Sequence, residues 1–218
     1  MPSTLRNVLA GLLAAPLLAA AGQDECPSAL LERFISADCE ACWRSGTAPD
    51  TRTLVLDWIV PSALGDDAPL SAAAIAEAKA RATSLASDAT LERRHALPPR
   101  GPPVEVEDGP AWNGYIGLRL RVQRAAEPLP PGAAGYLALV ETVPAGDEGT
   151  PIARRVVRVL AGPLALDPAR PGIEHLLAMR IPQGARSDRL GAVGWVETGS
   201  GELLALAQAG GEGCAAAR

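Results

Sequence analysis

The sequence has few aromatic residues and no excess of positive charge. Phe, Trp and Tyr together make up 3% of its 218 residues, so the core has to be built mainly from Leu, Val, Ile and Ala. Lys and Arg number 20 against 25 Asp and Glu, which gives a formal net charge of −5. Because a phosphate backbone is held by a basic surface, nucleic acid is not expected as the main partner. Apolar residues reach 48%, which excludes a disordered chain.

The motifs that would assign a common activity are also missing. The sequence contains no Walker loop, Rossmann fingerprint, H-E-x-x-H or EF-hand motif. Its two histidines, His95 and His175, have no partner at the spacing of a metal site or a nucleophile. We interpret His95 as part of a solvated loop. No cofactor and no metal site are therefore predicted.

One stretch is long and apolar, and it lies at the beginning. Residues 8–21 carry no charge, follow Arg6 and end in small residues. This order is typical of a secretory signal, with a buried core helix as the alternative. The run is too short for a comfortable membrane span, and no later stretch approaches ~18 apolar residues. We therefore expect a signal peptide over residues 1–22 and a secreted mature chain without a membrane anchor, in the bacterial periplasm.

The expected export decides how the four cysteines are interpreted. An even number in an oxidising compartment favours disulfides, and four cysteines allow three pairings. We favour Cys39–Cys42, which form a C-x-x-C, and Cys26–Cys214, which lie near the two mature ends. Chain ends are often close together in a folded domain. A zinc site is the alternative, but one C-x-x-C with two scattered cysteines is poor spacing for a zinc finger.

Apolar periodicity and turn residues divide the chain into two parts. Residues 28–87 have a β-α-β-α pattern, with strands predicted at 30–35 and 54–60 and helices at 39–45 and 69–85. Asp38 is expected to cap the first helix. From Trp112 onward, short strands alternate with turn clusters, as in an antiparallel immunoglobulin-like sandwich. These six strands are predicted at 115–122, 136–143, 152–160, 174–181, 190–197 and 203–208.

The concentrated chemistry lies at the C-x-x-C, which follows a predicted strand and begins a predicted helix. Unpaired backbone N–H groups at a helix start stabilise a thiolate. We therefore expect Cys39 to be the exposed nucleophile and Cys42 to resolve the mixed disulfide. Glu40 would oppose the thiolate, and Arg44 would favour it.

Two groups of charges occur inside predicted strands. Asp57 lies in an apolar strand, where a buried carboxylate near the C-x-x-C could accept a proton. The alternative is that Asp57 faces solvent or caps a neighbouring element. Arg154, Arg155 and Arg158 form a cluster that strand alternation splits, and we interpret it as a solvated sheet face, with an anion site as the alternative.

Three stretches of the sequence resemble one family. LLERFISADCEACW, residues 30–43, resembles the opening of secreted bacterial thioredoxin-like proteins of unknown function, in which a strand ends directly in C-x-x-C. Residues 137–160 and 191–209 resemble the β-sandwich half that follows in the same family. The resemblance implies an α+β fold, with a trimmed thioredoxin-like domain over 23–110 and an antiparallel immunoglobulin-like β-sandwich over 111–218.

The chain departs from the family pattern around the C-x-x-C. The helix after Cys42 has to be short, because Gly46 and Pro49 follow. Trp43 comes after the motif, whereas the family's aromatic residue precedes it. Pro103 takes a place in the order of elements comparable to that of the family's cis-proline, which orients an incoming peptide. The thioredoxin-like half is therefore predicted in a shortened form.

Three interpretations are compatible with these patterns, and the most remote of them is a zinc-dependent fold built on the four cysteines. The first is thiol–disulfide exchange through Cys39 and Cys42 with a protein client of unknown identity, which would make the pair a redox-active centre. The second is a non-catalytic exported binding module, in which the disulfides only stabilise a small core. Nothing in the sequence identifies the client or the electron donor.

Overall fold

The structure, a computed structural model, describes residues 26–83, 89–124, 127–167, 170 and 172–210. The predicted signal peptide and Cys214 lie outside these ranges. Ten strands and two short α-helices form the described part of the chain. The helices are α1 (Glu40–Trp43) and α2 (Ala76–Ala82). Single 3-10 turns occur at Gly65–Asp67, Ser71–Ala73 and Ser187–Arg189.

The strands, in chain order, are β1 (Ala29–Ser36), β2 (Thr53–Val60), β3 (Thr90–Ala96), β4 (Val104–Asp108), β5 (Tyr115–Gln123), β6 (Ala134–Val143), β7 (Arg154–Ala165), β8 (Gly172–Arg180), β9 (Leu190–Glu197) and β10 (Leu203–Gln208).

Two sheets are built from these strands. The larger has seven strands in the order β10-β9-β6-β7-β2-β1-β3, and the smaller has three in the order β4-β5-β8. β2 is parallel to β1 and to β7, which it meets at Asp57 and Val156, and the other pairs are antiparallel. The large sheet is therefore mixed, and its parallel part lies where β2 meets strands from both halves of the sequence.

Both faces of the large sheet are covered. On β2, Trp58 packs with Ala78 and Ala82 of α2, while its neighbour Ile59 packs with Trp43 of α1. Because successive side chains of a strand point to opposite faces, the two helices lie on opposite sides of the sheet. The small sheet lies on the same face of the large sheet as α1, where it packs on β6, β9 and β10. In the described ranges, no helix has the length and apolar character needed to cross a membrane.

The predicted fold class was wrong. β6, β7, β9 and β10 do not form a separate immunoglobulin-like sandwich, because β7 hydrogen-bonds to β2 and joins all of them to the sheet that contains β1. The fold is mostly β, with two short helices in the described residues, and is not a trimmed α+β thioredoxin-like fold. The large sheet takes strands from both sides of the domain boundary expected at residue 110.

The Ala-rich stretch forms less helix than predicted. Ser71–Ala73 is a 3-10 turn, and Ala74 forms a bridge with Ile59 of β2. This bridge keeps the backbone extended, so α2 begins at Ala76. Tertiary pairing thus overrides the helix propensity of alanine over residues 69–75 of the predicted helix.

Candidate disulfide site

Cys39 and Cys42 form a disulfide directly after β1, the pairing that the sequence favoured. The single turn of α1 begins after Cys39, whose Sγ accepts a hydrogen bond from the backbone N–H of Cys42 at 3.2 Å. The predicted cap, Asp38, instead accepts a hydrogen bond from the hydroxyl of Ser36. Cys26 is also disulfide-bonded, and Cys214, its expected partner, lies outside the described residues.

The two cysteines of this disulfide differ in exposure. Cys39 is 5% exposed, because it follows the buried end of β1 and Ala37, which is fully buried. Cys42 is half-buried on the next turn. The expectation that Cys39 is the exposed sulfur was therefore wrong, and Cys42 is the more accessible of the two. Glu40 and Arg44, expected to act against each other on a thiolate, form an exposed ion pair with each other.

Arg154 of β7 holds the end of α1 against the sheet. One guanidinium nitrogen, Nη2, donates to the carbonyl of Trp43 at 2.7 Å and to that of Ser45 at 2.6 Å. The guanidinium carbon also lies 4.7 Å from the centroid of the Trp43 ring. An arginine that satisfies the last carbonyls of a helix stabilises its C-terminus. We call Arg154 with these contacts the Arg154 anchor; the side chain is fully buried, so the predicted solvated face was wrong here.

Asp57 supplies the negative charge for this anchor. It is 1% exposed and accepts hydrogen bonds from Arg154 at 3.0 Å and from Arg33 at 3.2 Å. Burial raises the pKa of Asp57, although both guanidinium groups act in the opposite direction. Burial also lowers the pKa of Arg154, which Asp57 partly offsets. Asp57 therefore does not face solvent; it is part of a buried ion-pair chain with Arg33 and Arg154.

A cleft of about 310 Å³ opens beside the disulfide segment, with Trp43 as one wall. Trp43 is held in place by its indole N–H, which donates to the carbonyl of Glu148 at 2.7 Å. Glu141 and Arg158 also line the cleft and form a buried ion pair at 3.5 Å. The cleft thus combines apolar walls with one buried ion pair. Besides Trp43, the larger aliphatic side chains that line the cleft are Ile59, Leu70, Val143 and Val156.

A second buried charge cluster lies on the opposite face, around Arg81 of α2. Its guanidinium pairs with Glu32 at 2.6 Å and with Glu197 at 3.0 Å. It also lies 5.3 Å from the ring centroids of Tyr136 and Trp195. Burial lowers the pKa of Arg81, but the hydrogen bonds and charges of Glu32 and Glu197 outweigh burial and raise the pKa overall. This cluster fixes α2 to the sheet by charge as well as by apolar packing.

His95 belongs to the edge of this cluster. The residue expected in a solvated loop lies on β3, and its Nε2 is 3.0 Å from a carboxylate oxygen of Glu32. His175 lies on β8, so the two histidines belong to different sheets. In the ranges that the structure describes, no three His, Cys, Asp or Glu side chains converge as a metal site.

Comparison with known proteins identifies a fold but no family. No family model matches the chain, and no curated protein matches it. Among solved structures, HBP35 of Porphyromonas gingivalis is similar, with a TM-score of 0.53 over 84% of this chain and 74% of that chain. The two sequences are 9% identical, so the likeness concerns the arrangement of strands and helices alone.

The sequence indicates the disulfide but not the side chains that surround it. Arg154 meets the disulfide segment across more than 100 positions of the chain, and Arg81 meets Glu197 across a similar separation. No local pattern reports contacts at such separations. The available signal was weaker: a charged residue inside an apolar strand, as at Asp57, calls for a buried partner of opposite charge.

Proposed function

We propose that the protein is an exported thiol–disulfide exchange protein that acts through Cys42 and Cys39 on the thiols of a client protein. The observation that carries the proposal is the Arg154 anchor. Because the anchor holds the carbonyls of Trp43 and Ser45, the segment keeps contacts with the sheet that do not involve the sulfurs. The segment can therefore stay in place when the disulfide opens. A reversible exchange site requires this, because the two sulfurs must be able to form the bond again.

The difference in exposure assigns roles to the two sulfurs. A client thiolate attacks Sγ of Cys42, the more accessible residue; a client–Cys42 disulfide forms, and the electron pair of the broken bond stays on Sγ of Cys39. A second client thiolate then attacks the client sulfur of this mixed disulfide and releases Cys42 as a thiolate. The client dithiol is oxidised to a disulfide, and the two cysteines are reduced and take up the two protons that the client thiols lost. Return to the starting state requires the disulfide of another partner protein as electron acceptor.

The hydrogen bond between the two cysteines supports this order of events. The backbone N–H of Cys42 donates to Sγ of Cys39 at 3.2 Å. A donor in this position stabilises the negative charge that develops on the leaving sulfur. A lower thiol pKa makes a better leaving group in disulfide exchange. Cys39 is thus suited to leave, and Cys42 to be attacked.

The size of the closed loop also supports a redox role over a purely stabilising one. In the chain-entropy model, a disulfide that closes a loop of only four residues contributes roughly 2 kcal/mol, whereas one that closes a loop of about 100 residues contributes nearly 5 kcal/mol. A bridge between residues 39 and 42 is therefore a weak stabilising device.

One observation favours a second candidate, a non-catalytic exported binding module with structural disulfides. Cys39 is 5% exposed, and buried cysteines are generally inert. In this function the disulfide would keep the segment next to the cleft in a single conformation. The surface of the molecule, and not the sulfurs, would then meet the partner.

Equilibration in graded thiol redox buffers, followed by alkylation and mass spectrometry, separates the two candidates. Exchange predicts that Cys39–Cys42 opens between about −120 and −270 mV while the fold is retained. A bridge that stays closed below about −300 mV, or that opens only together with unfolding, indicates the structural module. The bond formed by Cys26 serves as an internal reference, because it should stay closed throughout.

A further inference from the structure

The outer face of the small sheet carries an unusual set of exposed apolar side chains. Among the described residues, four large apolar side chains are exposed, and three of them belong to this region: Trp112 at 76%, Tyr115 at 50% and Leu176 at 70%. The fourth, Leu64, lies elsewhere in the chain. In a protein with seven aromatic residues, two are thus placed in solvent at one site. Exposed apolar groups clustered in this way mark interaction sites.

The two aromatic residues sit on a rigid hairpin. Trp112 and Tyr115 lie opposite each other and exchange backbone hydrogen bonds of 2.8 and 2.9 Å. Between them Asn113 and Gly114 have positive φ angles of 49° and 76°, as both central residues of a two-residue type I′ hairpin turn require. Residues directly opposite each other point to the same face. The two rings are therefore presented side by side on the same surface.

Alternation along β5 and β8 defines the floor next to these rings. The pairs Tyr115–Arg180, Gly117–Ala178 and Arg119–Leu176 face outward, since the intervening residues of β5 are buried. Gly117 and Ala178 bear almost no side chain, so a shallow groove of about 570 Å³ runs over them. This volume lies within the range of sites for small molecules, about 300–1,000 Å³. We call Trp112, Tyr115, Gly117, Ala178 and Leu176 together the Trp112 face.

The charges beside the Trp112 face neutralise each other. Arg119 pairs with Glu107, and Arg121 pairs with Glu174 at 2.9 Å and with Glu105 at 3.4 Å. Together with Asp108, which lines the groove, and Arg180, the partner of Tyr115, this makes four carboxylates and three guanidinium groups, which leave little net field. A nucleic acid, an anionic membrane or a highly charged peptide would gain little there, because such partners are attracted by charge of one sign.

We propose that the Trp112 face binds a neutral glycan chain. A sugar ring has an apolar face of C–H groups, and the electron-rich faces of Trp112 and Tyr115 offer the surface on which it can stack. Its hydroxyl groups need donors and acceptors at the edge of the same surface, which Glu107, Arg119 and Arg180 provide. The groove over Gly117 and Ala178 leaves room for the chain to continue. The site is separate from the disulfide and independent of its function.

Affinity electrophoresis tests the proposal on the full, oxidised chain. The protein is run through gels that contain neutral polysaccharides: mixed-linkage β-glucan, xylan or galactomannan. We expect retardation in at least one gel and, for Trp112→Ala, a loss of about tenfold or more in affinity, as for other aromatic residues at the centre of an interface. Trp112→Phe should retain part of the binding. Leu64→Ala, which removes an exposed apolar side chain elsewhere in the chain, should change nothing.

Several results would overturn the proposal. The proposal is wrong if none of the three gels retards the protein. It is also wrong if Trp112→Ala and Tyr115→Ala are both retarded as much as the wild type. If no polysaccharide binds but the protein binds phosphatidylcholine vesicles and Trp112→Ala abolishes that binding, the Trp112 face belongs to a lipid surface. If instead the protein forms a concentration-dependent dimer in sedimentation that Trp112→Ala abolishes, the Trp112 face binds a second copy of the chain. Because Trp112 is 76% exposed, its replacement should leave the thermal unfolding curve unchanged, which separates lost binding from lost folding.

Discussion

Arg154 and Asp57 form a buried ion pair of 3.0 Å that connects the disulfide segment to the centre of the large sheet. Asp57 lies on β2 and Arg154 begins β7, so the pair also spans the parallel contact that joins the two halves of the sequence. The other end of the guanidinium holds the carbonyls of Trp43 and Ser45. The Arg154 side chain therefore contacts both β2, where the two halves of the sheet meet, and the segment that carries the disulfide.

Replacing Arg154 by Met should destabilise the protein strongly. The variant leaves the buried Asp57 with Arg33 as its remaining guanidinium partner and leaves the carbonyls of Trp43 and Ser45 without their donor. Breaking a buried pair from one side typically costs about 3–5 kcal/mol. We expect a decrease of that size in the free energy of unfolding, measured by denaturant titration.

Arg155→Met is the matched control, because it removes the same side chain from the next residue. Arg155 is half-buried, and its contact with Asp57 is through its backbone, which the substitution retains. We expect a change below about 0.5 kcal/mol. Equal effects of the two substitutions would show that the Arg154 anchor has no special role.

Single-cysteine variants should reverse the reactivity order expected from the sequence. In Cys39→Ser the remaining thiol belongs to half-buried Cys42, and in Cys42→Ser it belongs to Cys39, which is 5% exposed. Because access of the attacking sulfur limits exchange, the first variant should react with a small aromatic disulfide about tenfold faster or more. Stopped-flow absorbance gives both rates.

The wild-type protein provides the control for this comparison, because its described cysteines are all in disulfides and it should release no chromophore. Faster reaction of the variant that retains Cys39 would contradict the proposed attack at Cys42. Equal rates after the addition of denaturant would confirm that the difference comes from burial.

Local sequence patterns predicted eight of the ten described strands but not the partners with which they pair. Each of the eight predicted strands is present, and β9 and β10 have the predicted bounds, because runs of apolar and β-branched residues between turns are a local signal. No local signal predicts that β7 pairs with β2 as well as with β6. The fold class depends on this pairing, because it joins the strands of both halves into one sheet. β3 escaped prediction because charges at 92–94 resemble a loop, although charged residues are common on edge strands.

Acid should weaken the Arg81 cluster through Glu32. Burial opposes the ionisation of Glu32, but hydrogen bonds and charge from His95 and Arg81 together outweigh it and hold its pKa below the ordinary value of 4.5. A group with a lowered native pKa stabilises the fold fully above its unfolded pKa and loses that contribution as the pH falls through the native pKa. The stabilisation by Glu32 should therefore be complete at pH 6 and decline below about pH 4.5.

Glu32→Gln isolates this contribution. At pH 6 the variant should be about 1.5–3 kcal/mol less stable than the wild type, the usual worth of hydrogen bonds to a charged group, and the difference should shrink as the pH is lowered toward 3. Glu202→Gln, at an exposed position, should show no such pH dependence. A difference between wild type and Glu32→Gln that is constant from pH 6 to 3 would exclude the ion pair as its source.

The contact between the two sheets should depend on the absence of a side chain at Gly194 of β9. A Cβ there would lie 2.7 Å from Cγ2 of Val106 and 2.8 Å from Cδ1 of Leu120, both on the small sheet. Since the two sheets cannot separate locally without losing the packing around these residues, Gly194→Ala should lower the free energy of unfolding by about 1–3 kcal/mol, as overpacking usually does.

Gly191→Ala on the same strand is the control, because a Cβ at Gly191 meets no atom within 4 Å. This variant should be neutral or slightly stabilising, because alanine restricts the unfolded chain. Thermal unfolding of both variants distinguishes the two effects; equal unfolding temperatures would mean that the small sheet adjusts its distance from β9 at no measurable cost.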